Sequence, residues 1–127
     1  MGAVKILREK NDGLALESFE KEFHYPLGEG RSFSISHSPD YPRFYASMGE
    51  NSFVLAAERK GIILGTLGTA MKSIRCPDGV TRTATYLGDL KIASSARMGR
   101  VFWRLTNAAR KALTSQCKNR YYCVVMD

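Results

Sequence analysis

The sequence is poor in the residues that staple or metallate a small domain. It has three cysteines, Cys76, Cys117 and Cys123, an odd number with no CxxC spacing, which argues against a disulfide framework or a zinc site. Its two histidines, His24 and His37, form no ligand pattern, so no metal is expected. No apolar run approaches the roughly 18 to 20 residues that a membrane span requires. The best candidate, "GIILGTLGTAM", is short and broken by glycine. The opening "MGAVKILREK" lacks the apolar core of a secretory signal, and Ile6 stands where a myristoylation signal carries Ser or Thr. These absences leave a cytoplasmic address with no membrane as the expectation.

What is present is an ordinary globular composition with a basic excess. The 127 residues are 44% hydrophobic and 24% charged, which suits one domain with its own core rather than a disordered chain. The formal charge of +7 favours an anionic partner: a phosphorylated cofactor, nucleic acid or an acidic surface.

The patterning divides residues 1–127, a single domain, at about residue 50. In 1–50, "AVKILRE" alternates as a strand. Asp12 then opens a short helix with Leu16, Phe19 and Phe23 on one face. "HYPLGEGRSFSISHSPDYP" reads as loop with an extended patch at Phe33 and Ile35, and Asp40 caps a short helix, "YPRFYASM". Tyr41, Phe44 and Tyr45 are expected to cap the core or wall a cleft. In 51–127, "SFVLAAE", "IILGTLGTAMKSI" and "TRTATYLGDLKI" form an antiparallel meander with turns at 59–61 and 76–79. Gly65 and Gly68 mark a bulge or a close backbone approach. Alternation places Tyr86, Gly88, Leu90 and Ile92 on one face. A helix follows, starting near Met98 or Gly99, with Val101, Phe102, Leu105, Ala108, Ala109, Ala112 and Leu113 as its apolar stripe. "YYCVVM" closes as a buried strand, Cys123 included, parallel to the third meander strand because a crossover helix joins them.

The junction between the meander and the helix carries the chemistry. A helix N-terminus offers unpaired amides and a partial positive charge, and binds anions readily. Here Arg97 and Arg100 flank Gly99, Arg104 follows one turn later, and Ser94 and Ser95 precede it as phosphate donors or helix caps. The arginines suit a cofactor-phosphate site or a solvated basic helix face ahead of a nucleic-acid surface, in which Trp103 beside Asn107 and Arg110 would stack a base.

Leu90-Lys91-Ile92 followed by Arg97-Met98-Gly99-Arg100-Val101-Phe102 resembles the Leu-x-Val strand end and the R/Q-x-x-G-x-G/A turn of the GNAT superfamily of N-acetyltransferases. The element order over 52–126 matches that family well, and 1–50 only loosely. Arg100 stands where the family carries its first glycine, and Phe102 where it carries glycine or alanine. The resemblance implies an α+β fold, a mixed, mostly antiparallel sheet flanked by helices, with the chain ending after the fifth strand. It also implies that acetyl-CoA or another acyl-CoA is held at Leu90, Lys91, Ile92, Arg97, Met98, Gly99, Arg100, Val101 and Phe102. The N–H near Ile92 would stabilise the thioester oxygen, and Asp89 would take the proton of an amine acceptor, its alternative being a pairing with Lys91 or Arg82. In the family a further helix and two strands follow, so an exposed edge covered by a C-terminal region or a homodimer is expected. The competing expectation is a non-catalytic module of the same fold, used in protein association or nucleic-acid binding. The Arg100 and Phe102 pair separates the two.

Overall fold

The structure, a computed structural model, describes residues 3–7, 12–37, 40–49, 51–97, 99–117 and 121–123, with side chains for all but 113–117. Met98, Val124 and the other expected residues beyond these ranges lie outside the described residues. Strand β1 (Ala3–Leu7) leads to helix α1 (Gly13–Glu20), a hairpin of β2 (Tyr25–Gly28) and β3 (Arg31–Phe33), and helix α2 (Tyr41–Ala46). The meander is β4 (Phe53–Arg59), β5 (Ile62–Arg75) and β6 (Thr81–Ile92), followed by a 3-10 turn (Ser94–Ala96), α3 (Val101–Cys117) and β7 (Tyr121–Cys123). The sheet order is β1-β4-β5-β6-β7, with β6 and β7 parallel and the other pairs antiparallel.

Both faces of the sheet are covered. Val54 and Ala56 of β4 point to α1 and α2, where Leu16, Phe19, Tyr41 and Tyr45 complete one core. Phe53, Leu55 and Ala57 point the other way, to Val101, Leu105 and Ala109 of α3. This is why β4 reads as an unbroken apolar run instead of an alternating one.

Two irregularities shape the sheet. In β5, Leu64 is an extra residue between Ala57↔Gly65 and Glu58↔Ile63. In β6, Asp89 and Leu90 together face only Leu67 between Thr66↔Lys91 and Gly68↔Gly88, and Asp89 takes φ 51°. The extra residue in β6 reverses its alternation beyond Gly88. Tyr86 therefore packs on the α1–α2 side while Ile92 lies under α3, contrary to the shared face expected from the sequence. Gly65 and Gly68 are both close approaches. A Cβ at Gly65 would lie 2.6 Å from Val101 Cγ1, and one at Gly68 would collide with the Tyr45 ring.

Other expectations are corrected in detail. Residues 24–42 contain the β2–β3 hairpin, with Ile35 outside it. Neither Asp12 nor Asp40 makes a side-chain cap bond. Helix α3 begins at Val101, later than expected, because the 3-10 turn intervenes. Phe102 is 38% exposed and leaves the apolar stripe, since a residue next to Val101 turns too far around the helix to reach the sheet. Cys123 is exposed, because β7 is the edge strand among the described residues.

Candidate functional site

The junction is built as a staircase: strand, one 3-10 turn, then the first turn of α3. Ala96 N–H donates to Ala93 O at 2.9 Å and Gly99 N–H to Ala96 O at 3.1 Å. The first α-helical bond runs from Arg104 N–H to Arg100 O at 3.0 Å, which leaves the first-turn amides directed out of the helix end. Arg97, Gly99 and Arg100 are exposed. The Phe102 ring meets Trp103 edge-on at 5.1 Å, with Trp103 65% exposed. A cleft of 440 Å³ opens beside the turn, between Gly99, Arg100, Val101 and Arg104 on one side and Glu58 and Arg59 on the other. Arg97 and Phe102 lie outside its lining. Ala93 N–H donates to Leu64 O at 2.8 Å, so alternation turns the Ile92 N–H to the opposite edge of β6, the side of β7.

Across the sheet lies an arrangement of charge that the sequence did not announce. Glu20 closes α1 and is 2% exposed; Lys91 of β6 is 4% exposed. His37, from the segment between β3 and α2, stands between them with its side chain 6% exposed. Its Nδ1 contacts Glu20 Oε1, its backbone N–H donates to Glu20 Oε2 at 3.0 Å, and its Nε2 lies 3.1 Å from Asp89 Oδ2. The Tyr45 hydroxyl donates to the same Asp89 oxygen, and Lys91 Nζ is 3.4 Å from the other. Lys91 Nζ also lies 3.7 Å from Glu20 Oε1. The Tyr41 ring packs 4.2 Å from the His37 ring, and its buried hydroxyl finds no partner among the described residues.

These contacts set the protonation of the cluster. Burial pushes the Asp89 carboxyl upward, but the hydrogen bonds from His37 and Tyr45 and the Lys91 charge outweigh it and hold Asp89 far below the usual carboxylate range. Burial opposes a charge on His37, yet its contacts with Asp89 and Glu20 prevail and raise its pKa. Burial first, then the Asp89 charge, pushes the Tyr41 and Tyr45 phenols upward, so both stay protonated.

The structure thus brings Asp89 to Lys91, one of the two pairings expected, while Arg82 pairs instead with Asp78 at 2.9 and 2.7 Å. The Lys91 side chain points into this cluster, on the face away from the α3 cleft, and Leu90 is exposed. Tyr45, expected to cap the core or wall a cleft, donates to Asp89, while Glu20 and His37 were missed as site residues. Their only signal is polar residues on buried elements, which shows once the fold is known. Among the described residues no three His, Cys, Asp or Glu side chains are grouped to hold a metal, and no helix is long and apolar enough to cross a membrane.

No protein-family model matches the sequence, and no curated protein matches it. Solved structures do. A predicted acetyltransferase from Clostridium acetobutylicum, determined with acetyl-CoA, superposes with a TM-score of 0.73 at 15% identity, covering 100% of this chain and 82% of its own. Glucosamine-6-phosphate N-acetyltransferase from Arabidopsis thaliana gives 0.66 at 15% identity, covering 99% and 83%. A transcriptional regulator from Bacillus halodurans C-125 gives 0.68 at 15%, covering 100% and 83%. The chain has the GNAT N-acetyltransferase fold, and at these identities the likeness speaks for the fold alone.

Proposed function

We propose that the chain is an N-acetyltransferase that takes acetyl-CoA, or another acyl-CoA, and passes the acyl group to an amine. The observation that carries this reading is the open turn ahead of α3. The first-turn amides of α3 are directed out of the helix end, Arg97 and Arg100 are exposed, and the Phe102 ring packs on Trp103. A Cβ at Gly99 would lie 3.3 Å from Ala96 O, a tight contact that favours glycine in the turn. The turn therefore fits a diphosphate in spite of arginine and phenylalanine at its glycine positions.

Bound acetyl-CoA supplies an activated thioester carbon. The turn amides and the two guanidinium groups hold the diphosphate by charge-assisted hydrogen bonds. The Ile92 N–H, on the β7 edge, stabilises the charge that develops on the carbonyl oxygen. Asp89, presented by the β6 bulge, takes the amine proton, directly or through water. The same reading keeps the cytoplasmic address expected from the sequence and a second copy across β7, the edge strand among the described residues.

Thermal melting tests it. Acetyl-CoA at 100 times its dissociation constant stabilises by about 2.7 kcal/mol, a rise of roughly 5 to 15 °C for a domain of this size. Arg97→Ala weakens binding by about 1–3 kcal/mol. No shift at millimolar acetyl-CoA overturns the reading. The exposed Phe102 and Trp103 pair beside Arg100 and Arg104 favours the non-catalytic alternative in that case, and nucleic-acid binding would then weaken steeply with salt.

A further inference from the structure

We propose that His37, fixed by Glu20, is a positioning residue that decides when Asp89 can take the acceptor amine's proton. This rests on the reading of Asp89 given above.

The geometry is specific. One residue, His37, occupies both oxygens of Glu20, one through its backbone N–H and the other through Nδ1. The backbone contact holds the segment against Glu20, and the Nδ1 contact orients the ring. Its far nitrogen then faces Asp89 Oδ2 at 3.1 Å, so a proton on Nε2 is donated to that oxygen. Aromatic rings wall the imidazole: Tyr41 at 4.2 Å, Phe44 at 4.5 Å and Tyr45 at 6.4 Å between centroids. The groups that face it are Glu20 from α1, Asp89 and Lys91 from β6, and Tyr41 and Tyr45 from α2. Tyr25 of β2 and Tyr86 of β6 stand near enough to feel the Asp89 charge.

With the imidazole protonated, two carboxylates balance two cations and the buried cluster is neutral. Asp89 is then saturated by donors and a weak base. When Nε2 loses its proton, a donor to Asp89 becomes a lone pair, and the pair gains an acceptor site. In the reaction the acceptor enters as an ammonium, and its first proton moves to Asp89 and on to the unprotonated His37 Nε2 across the 3.1 Å contact. The amine nitrogen forms its bond to the acyl carbon, the carbon–sulfur bond breaks, and the second amine proton ends on the sulfur. The raised pKa of His37 places its release of the proton above the ordinary histidine range.

Nitrogen-15 NMR of the full chain, without substrate, reads the coupling directly. His37 is expected doubly protonated at pH 6.5, and both Asp89→Asn and Glu20→Gln lower its midpoint by at least about one pH unit. Asparagine tolerates the positive φ at position 89, so the fold should survive. In steady-state assays the ascending limb of kcat/KM tracks that midpoint. His37→Gln keeps an N–H donor but cannot titrate, and it abolishes the limb while leaving the KM for acetyl-CoA within about twofold. A His37 midpoint unmoved in Asp89→Asn, or an unchanged limb in His37→Gln, overturns the proposal even if acetyl-CoA binds. Coupling that persists in a chain that does not bind acetyl-CoA overturns the acetyltransferase reading instead.

Discussion

Under α3 the sheet buries Val101, Leu105 and Ala109 against Phe53, Leu55 and Leu67; under α1 and α2 the same strands bury Glu20 and Lys91 with the His37 ring between them. The apolar face gains from area removed from water, and loss of one side chain there leaves no unpaired charge behind. The charged face works as a set. Four ionisable side chains from α1, β6 and the segment before α2 compensate one another, and each loses its justification when a partner goes. One face of the sheet thus packs an apolar core under α3, while the other sets a preorganised polar site beside its own apolar core, with the β6 bulge as the device that delivers Asp89 to that site.

The largest expected effect tests that asymmetry. Lys91→Met leaves two carboxylates facing one imidazolium and should cost about 3–5 kcal/mol. Leu105→Ala, on the other face, should cost about 2–5 kcal/mol through lost transfer energy and a cavity. Because these ranges overlap, the decisive measurement is the pair Glu20→Gln with Lys91→Met, followed by urea denaturation. The double variant restores charge balance and should recover stability relative to Lys91→Met, with a coupling of about 1 kcal/mol or more. Strict additivity would show that the charged face is no more cooperative than the apolar one.

The glycines of β5 sharpen the comparison at smaller scale. A methyl at Gly65 presses on Val101 Cγ1 and Leu105, and one at Gly68 displaces the Tyr45 ring. Each should destabilise by about 1–3 kcal/mol as overpacking does. Only Gly68→Ala should also disturb the His37 titration, because Tyr45 donates to Asp89. If Gly65→Ala moved that titration equally, the two faces would not be independent.

The sequence was legible where local pattern decides the outcome. The meander, its two turns, the stripe Val101, Leu105 and Ala109 and the parallel return all follow from periodicity and turn chemistry. Alternation failed beyond Gly88, because a single extra residue, marked only by an aspartate able to adopt positive φ, flips every later side chain. The cluster was illegible for a different reason. Glu20, His37 and Asp89 are far apart in sequence and meet only when α1 and the segment before α2 fold over β6. The hairpin at 25–33 was masked by its Gly, Pro and Ser content, which reads as loop although Tyr25 stacks on Phe33 at 5.2 Å.

The smallest effect, and the most diagnostic, is the shape of the stability curve with pH. His37 has a raised pKa in the fold, so its contribution is fully present below about pH 6.5 and is lost as pH rises through the folded value. Asp89 has a depressed pKa, so its contribution is present above about pH 3.9 and is lost as pH falls toward its folded value, far below the usual carboxylate range. The charged face should therefore be at its strongest between about pH 4 and 6.5. Leu105→Ala should lower the whole curve without changing this shape, since no titrating group sits in its place. Glu20→Gln removes one of the two carboxylates that raise the His37 pKa, so its alkaline decline should be smaller and should end at lower pH than in the unaltered protein. A Glu20→Gln curve parallel to the wild type between pH 6 and 9 would mean that the imidazole is held by packing against Tyr41 and Phe44, and not by its carboxylates.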